Sequence, residues 1–327
     1  MILAGDIGGT KAMLLLAAGG RGSVEPAFER RYAVASFPGF SALLAQFLDE
    51  YRQHGARKAR PTSACFGAAG PVAGERIQMT NLPWCLDSGA IAAEFGIRRV
   101  QLVNDFEAAA SGIEALGPGD YAILQQGEPL AQAARVVIGA GSGLGVAYAL
   151  PQGNRYQVIA GEGGHAGFAP ADEEQLRLWQ ALQQQFGRVS VEHVVSGPGL
   201  VRIYEFLCAA QPELPAQKET VRAEGAAGIS RLALEHGDAL ACRALDLFIA
   251  CYGAVAGDHA LTVTARGGVY IAGGIAAKIL GRIAGGAFMV AFNAKGVHAH
   301  LNRKVPVRVV TSERLGLLGA ALIAAKR

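Results

Sequence analysis

The chain has 327 residues, carries 30 Lys and Arg against 27 Asp and Glu for a net charge of +3, and is 51% hydrophobic and 17% charged. Such a composition can bury a large core and excludes a disordered chain, and the length suits two domains of about 100–200 residues each. With no long basic run, nucleic acid is not expected as a main partner.

In chain order, residues 1–18 read as strand, loop, strand around Asp6-Ile7-Gly8-Gly9-Thr10-Lys11. Glu29 to Ala35 reads as a further strand. Ser41 is expected to cap a helix whose Leu43, Leu44, Phe47, Leu48 and Tyr51 share one face. Thr62 to Gly67 reads as a buried strand, Ser88–Phe95 as a short helix, Arg99 to Val103 as a strand ending at Asn104-Asp105, and Phe106–Leu116 as a helix. Alternating strands and helices imply a mixed sheet with helices packed on it. Gly117-Pro118-Gly119 breaks the chain and is a candidate domain crossing.

Val136 to Ile138 runs into Gly139-Ala140-Gly141-Ser142-Gly143-Leu144-Gly145, followed by the apolar Val146 to Leu150. Beyond it the chain turns more helical. Asp172 with Gln175 reads as a capping box for a helix through Phe186, and Ser190 as the cap of the next. Arg243 to Leu261 has a long apolar helical pattern. Val269 to Ala272 reads as a strand ending in Gly273-Gly274, Val305 to Val310 as a late strand, and Leu315–Ala325 as a helix that folds back on the first domain. No short repeat or low-complexity tract is visible. With no run of about 18 apolar residues, no membrane span is expected. The N-terminus has no basic segment ahead of its apolar run, so it does not read as a signal peptide. Five scattered cysteines without a C-x-x-C pair suggest reduced thiols and a cytoplasmic home.

The two glycine-rich loops carry the chemistry. Glycine lets backbone N–H groups approach a phosphate closely. Each loop is followed by short β-prone residues, so each reads as a hairpin turn, whereas a Rossmann or P-loop turn would enter a helix. No Gly-Lys dipeptide occurs, which excludes a Walker A loop, and Leu144 stands where a dinucleotide fingerprint begun at Gly139 needs its third glycine. Either loop alone could be an ordinary tight turn. The pair, about 130 residues apart, suggests a nucleotide held between two related lobes of ordinary domain size.

Asp105 stands at the C-terminal end of a strand, the edge where open α/β sheets bind ligands. It could take the proton of a substrate hydroxyl, or simply cap the following helix. Glu162 and His165 on Gly161-Glu162-Gly163-Gly164-His165 suit paired sugar hydroxyls, a solvated turn or, least well, a metal. Glu192 either complements a helix dipole or adds a third polar arm. Asp6 could hold Mg2+ through water. Gly273-Gly274 could lie against adenine or ribose, or be a plain turn.

Taken together these segments resemble bacterial glucokinases of the hexokinase type, within the actin-like ATPase (ribonuclease H-like) fold. The matching pieces span essentially the whole chain: Asp6 to Thr10, Asn104-Asp105-Phe106, Gly139 to Gly145, Gly161 to His165, Val189-Ser190-Val191-Glu192, Ser196 to Leu200 and Ile271 to Ile275. The resemblance implies an α/β protein of two domains with a ligand cleft between them. The expected division is a small domain over 1–108, with 308–327 packing back onto it, and a large domain over 109–307. It implies an ATP-dependent kinase that makes glucose 6-phosphate from D-glucose at the start of glycolysis, in the cytoplasm and commonly as a homodimer. Asp105 would be the general base, and Asn104, Asp105, Glu162, His165 and Glu192 would hold the sugar. Asp6, Gly8, Gly9, Thr10, Lys11, Gly141, Ser142, Gly143, Gly273 and Gly274 would serve ATP, with Asp6 holding Mg2+ through water.

Two departures stand out. Lys11 follows the first loop where several relatives carry Asn, and Gly167 stands where many carry Asp, which bears on how tightly the Glu162 turn is held. The cysteine-rich zinc motif of the repressor, open reading frame and kinase group is absent, and the first loop starts almost at residue 1; both count against a DNA-binding repressor. Fructose, mannose or an amino sugar as substrate, and a sensor that has lost activity, remain alternatives. A filament or chaperone ATPase is disfavoured, because Glu162, His165 and Glu192 suit a polyol better than a peptide.

Overall fold

A computed structural model describes all residues except 21–22, 55–59, 81, 212–215 and 327. The chain divides into two compact units, Met1–Pro118 with Ser312–Arg327, and Gly119–Thr311. The crossing falls in the Gly117-Pro118-Gly119 break. The boundary expected at 108 is corrected, because it would cut a helix, Asp105–Gly112, whose last residues are buried. The return expected at 308 is also corrected: residues 308–311 belong to the second unit, and the chain re-enters the first at Ser312.

The first unit is built on strands β1 (Ile2–Ile7), β2 (Lys11–Gly20) and β3 (Ser23–Ala33), then helix α1 (Phe40–Gln53) and strand β4 (Ser63–Ala68). A small antiparallel sheet follows, of β5 (Val72–Ala73), β6 (Arg76–Gln78) and β7 (Cys85–Asp87). After it come α2 (Ser88–Phe95), β8 (Arg99–Asn104) and α3 (Asp105–Gly112). The main sheet has the order β3-β2-β1-β4-β8, with β1, β2 and β3 antiparallel and β1, β4 and β8 parallel. Strand β3 is longer than expected and holds Pro26 at the sheet edge, where a missing N–H costs no ladder bond. Alternation along β1 sends Leu3 and Ile7 to the core under α1, where Leu43, Leu44 and Phe47 are fully buried, and Ile2 and Ala4 to the opposite face. Ser41 does not cap α1. The N-cap is Gly39, and the Ser41 hydroxyl donates to Glu94 instead.

The second unit opens with β9 (Tyr121–Gln125), β10 (Arg135–Ala140), β11 (Leu144–Gln152) and β12 (Arg155–Gly161). A helical stretch follows: α4 (Glu173–Phe186), α5 (Gly197–Ala210), α6 (Lys218–Glu224), α7 (Ala226–Glu235) and α8 (Ala239–Thr262). Then come β13 (Gly268–Ala272), α9 (Gly274–Lys278), α10 (Leu280–Ile283), α11 (Ala287–Asn293), α12 (Ala299–Asn302) and β14 (Val307–Val310). Its sheet has the order β12-β11-β10-β13-β14-β9. Apart from β9, this repeats the first sheet strand for strand: an antiparallel meander, then two parallel strands. Relatedness of the lobes is therefore a matter of topology, and no short sequence repeat records it.

Helix α8 corrects the membrane expectation in one respect. At 24 residues it is long and apolar enough to span, yet most of it is buried within the protein. Leu245, Phe248, Ile249 and Tyr252 form its unit's core, so its hydrophobicity on all sides is that of a core helix.

The last helix, α13 (Leu315–Ala325), belongs to the first unit. Its Leu317, Ala320, Ala321 and Ala324 cover the face carrying Ile2, Ala4, Met13 and Leu15. It crosses α3 at glycine: a methyl on Gly319 would lie 1.7 Å from the Ala108 carbonyl oxygen, and one on Gly112 2.1 Å from that of Leu315. Two helix backbones touch there.

Candidate active site

In the first unit, both glycine-loop residues and Asn104-Asp105 lie at the C-terminal ends of parallel strands β1 and β8. The first loop is a hairpin, as its sequence implies: Ile7 pairs with Ala12, and Gly8 N–H donates to the Lys11 carbonyl at 2.9 Å. Among the described residues the N–H groups of Gly9 and Thr10 have no protein acceptor, which is the condition a phosphate needs. Lys11 is engaged elsewhere. Its ammonium lies 2.9 Å from Glu313 Oε2, an oxygen that Arg31 also reaches at 3.0 Å. A phosphate would have to draw Lys11 from that exposed pair, whose worth is about 0–1 kcal/mol.

Asn104 caps α3, its Oδ1 accepting from Phe106 N–H at 2.8 Å. Asp105 is thus the first residue of the helix rather than its cap. The charge of Asp105 acts on Asp6. Burial first, and then Asp105, push the half-buried Asp6 carboxyl up to about 6, while Lys11 pulls it the other way. Gly316 makes room for this group: a methyl there would lie 2.7 Å from Asp6 Oδ2. Because Asp6 binds its proton more tightly folded than unfolded, it supports the metal-free fold below pH 4, and that support is lost as pH rises through 6. Asp6→Asn in metal-free buffer should therefore raise Tm more at pH 8 than at pH 4, checked by thermal scans at both; an equal shift would refute it.

In the second unit the second loop is also a hairpin. Ala140 pairs with Leu144, and Gly141 N–H donates to the Gly143 carbonyl at 2.8 Å. Tyr252, from within the core, anchors its root: Ala140 N–H donates to the phenol oxygen at 3.1 Å, and the phenol donates to Ile138 O. The start of α5 anchors its tip, Gly197 N–H donating to Gly141 O at 2.8 Å. Ser142 and Gly143 N–H have no protein acceptor among the described residues.

Glu192 lies over this hairpin. Its Oε2 accepts from Leu144 N–H at 2.8 Å, and a methyl on Gly143 would lie 2.4 Å from that oxygen. Gly143 is therefore needed to admit a carboxylate, a reason its sequence context does not suggest. Glu192 occupies a single 3-10 turn, Val191–His193, which Ser190 caps as expected, reciprocally with His193.

Glu162 precedes and His165 ends a second 3-10 turn, Gly163–His165, with His165 Nε2 3.9 Å from Glu162 Oε2 and both side chains exposed. A short bridge joins the two turns. Gly167 pairs with Ser190, Phe168 N–H donates to Val189 O at 3.1 Å, and Val191 N–H to Ala166 O at 2.8 Å. The structure thus brings Glu162, His165 and Glu192 onto one framework. A methyl on Gly167 would meet nothing within 4 Å, so the turn is held by backbone pairing and needs no side chain there. Arg188, unremarked in the sequence, donates to the His165 carbonyl at 2.9 Å. Gly273, at φ +84 where a methyl would lie 2.6 Å from Ala140 O, brings the end of β13 against the hairpin, and Gly274 opens α9 with free space above its Cα.

Among the described residues no group of three or more His, Cys, Asp or Glu is placed to hold a metal. All five cysteines are free thiols.

Comparison with known proteins identifies the family. The glucokinase family model matches residues 3–327. A glucokinase of Synechocystis is 40% identical over 99% of this chain and 98% of its own. The crystal structure of a glucokinase from an Antarctic psychrotroph superposes with a TM-score of 0.85 at 28% identity, covering 99% of this chain and 98% of that one. A glucokinase of Streptomyces griseus, solved in complex with glucose and AMPPNP, shares the fold at a TM-score of 0.67 and 21% identity, with 99% and 98% covered. With a family model and a relative that both span its length, this chain belongs to the glucokinase family.

Proposed function

We propose that the chain transfers the γ-phosphoryl group of ATP to the 6-hydroxyl of D-glucose, giving glucose 6-phosphate and ADP. The observation that carries this reading is the joining of Glu162, His165 and Glu192 by the 166–168 and 189–191 bridge, within a chain of this family. Three polar groups on a rigid framework suit a polyol. The Streptomyces relative, which holds glucose and an ATP analogue, supports both substrates.

Glu162 and the second oxygen of Glu192 would accept hydrogen bonds from sugar hydroxyls, and His165 would donate or accept. Asn104 and Asp105 would serve the hydroxyl that reacts. Asp105 would orient the 6-hydroxyl and take its proton as the new O–P bond forms; the loose transition state asks more for orientation than for basicity. The hairpin amides of Gly9, Thr10, Ser142 and Gly143 would hold phosphate oxygens, Gly8 and Gly141 would shape those turns, and Gly273-Gly274 would lie against the nucleoside. Lys11 would reach a phosphate only by leaving Glu313. Asp6 would hold Mg2+ through water, and the ion would neutralise charge on the phosphates. With this activity the chain would act in the cytoplasm at the entry to glycolysis, and it would work as a homodimer, as the resemblance implies.

The test is a coupled assay of the purified protein with Mg-ATP and a panel of hexoses, reading ADP and glucose 6-phosphate separately. Strong preference for glucose by kcat/KM, with product at the 6-position, is expected. Preference for another hexose would overturn the substrate, and folded protein that turns over no hexose would overturn the reading.

A further inference from the structure

The Glu162 turn rests on two residues that the reaction above does not use. Gly163 has no side chain, and the place of one is taken: a methyl would lie 2.9 Å from Val146 Cβ and 3.1 Å from His259 Cε1. At Gly164 a methyl would lie 2.2 Å from the Leu144 carbonyl oxygen. The turn is therefore seated directly on β11 and α8.

His259 is an imidazole in an apolar part of α8, beside the buried Val255, Ala256 and Ala260. Burial holds its pKa below the usual histidine range, so the ring is neutral near pH 7 and one of its nitrogens accepts. Its Nδ1 lies 2.7 Å from the Tyr148 hydroxyl. The neighbouring Asp258 is committed to Lys295, whose Nζ lies 2.7 Å from Oδ1 and also donates to Ala254 O at 2.8 Å. Tyr148 belongs to β11, in register with Ile159 of β12, and β12 ends at Gly161, immediately before Glu162. One hydrogen bond thus links the strand pair that delivers Glu162 to the ring on which Gly163 sits.

We propose that the Tyr148–His259 pair is a positioning element of the sugar site. It fixes the imidazole edge beneath Gly163 and so sets where Glu162 and His165 present their polar groups. The proposal rests on the reading of that turn as the sugar-binding one. Both residues act through the turn.

The test is steady-state kinetics in glucose and in ATP, with a thermal scan, for wild type, Tyr148→Phe, His259→Leu, His259→Asn and the double variant Tyr148→Phe/His259→Leu. KM for glucose is expected to rise about five- to tenfold in Tyr148→Phe and His259→Leu, the size of one neutral hydrogen bond, with kcat and KM for ATP within about twofold. His259→Asn, which keeps a polar atom near the Nδ1 position, should restore most of the glucose KM. The double variant should be no worse than the worse single, because both break the same bond. An unchanged glucose KM in both single variants would overturn the proposal, as would parallel losses in kcat and both KM values that follow Tm. Should His259→Leu fail to fold, Tyr148→Phe removes one oxygen and decides alone. Wild-type protein inactive on every hexose would overturn the functional reading and this proposal together, whereas active wild type with unchanged variants overturns this proposal only.

Discussion

Asp105→Ala is expected to lower kcat by about 10²–10⁴-fold, the usual contribution of a positioned general base, while the protein stays folded. The fold should tolerate the change because the Phe106 N–H that Asp105 Oδ1 shares at 2.9 Å keeps its bond to Asn104 Oδ1, the N-cap of α3. Loss of Asp105 forfeits a favourable charge at a helix N-terminus, worth about 0.3–1 kcal/mol. Burial is the main reason the Asp6 carboxyl is raised, and the Asp105 charge adds to it; removing that charge relieves Asp6 in part, so the two effects oppose each other. Tm should therefore stay within about two degrees of wild type, whereas Asn104→Ala should cost about 1 kcal/mol, roughly 3–4 °C, through the lost cap. Initial rates with saturating glucose and Mg-ATP, alongside a thermal scan, separate the two variants. Near-normal turnover in Asp105→Ala would sink the base assignment.

Gly319→Ala should destabilise the first unit by about 3 kcal/mol or more, at the severe end of overpacking. The added methyl would lie 1.7 Å from the Ala108 carbonyl oxygen and 2.7 Å from Gly112 N, both backbone atoms that cannot turn aside as a side chain would. Helix α13 would have to lift from α3, uncovering Leu317, Ala320 and Ala321 from the sheet. It would also carry Gly316 away from Asp6, so Mg-ATP turnover should fall with stability. A drop of about 10 °C in the Tm of the first unit is expected at the usual scaling for a unit of its size. A Tm within a degree of wild type would show that the helices can part at no cost.

Much of the local structure was legible because local physics decides it. Helix α2 runs Ser88–Phe95 and α13 runs Leu315–Ala325, the limits their patterns indicated. Helix α4 is capped by Asp172, whose carboxylate accepts from Gln175 N–H at 2.8 Å; the Gln175 side chain accepts from Ala171 N–H rather than from Asp172 N–H, so the box is not closed. Both glycine loops are hairpins for the reason their flanking strands suggested. Boundaries were weaker: the helix read over Phe106–Leu116 ends at Gly112 and tightens into a 3-10 turn over Ile113–Ala115. Strand β9, the β5–β7 sheet and the small helices α6, α7 and α9 to α12 had no distinct signal, since elements this short are selected by their neighbours more than by propensity.

By itself the sequence determined the family, the two glycine hairpins, the polar residues of the candidate site and the return of the chain end to the first unit. These follow from glycine's backbone freedom, from hydrophobic period and from the order of motifs along the chain. Only the tertiary structure decided the partners of those residues. Lys11 is paired with Glu313 across 302 positions, Gly143 admits Glu192, and Gly167 joins the Glu162 and Glu192 turns through Ser190. His259 lies beneath Gly163, bonded to a tyrosine 111 residues away. A histidine in an apolar helix and a tyrosine in an alternating strand look ordinary where they stand. Contacts between distant segments depend on register and packing, which no local pattern encodes.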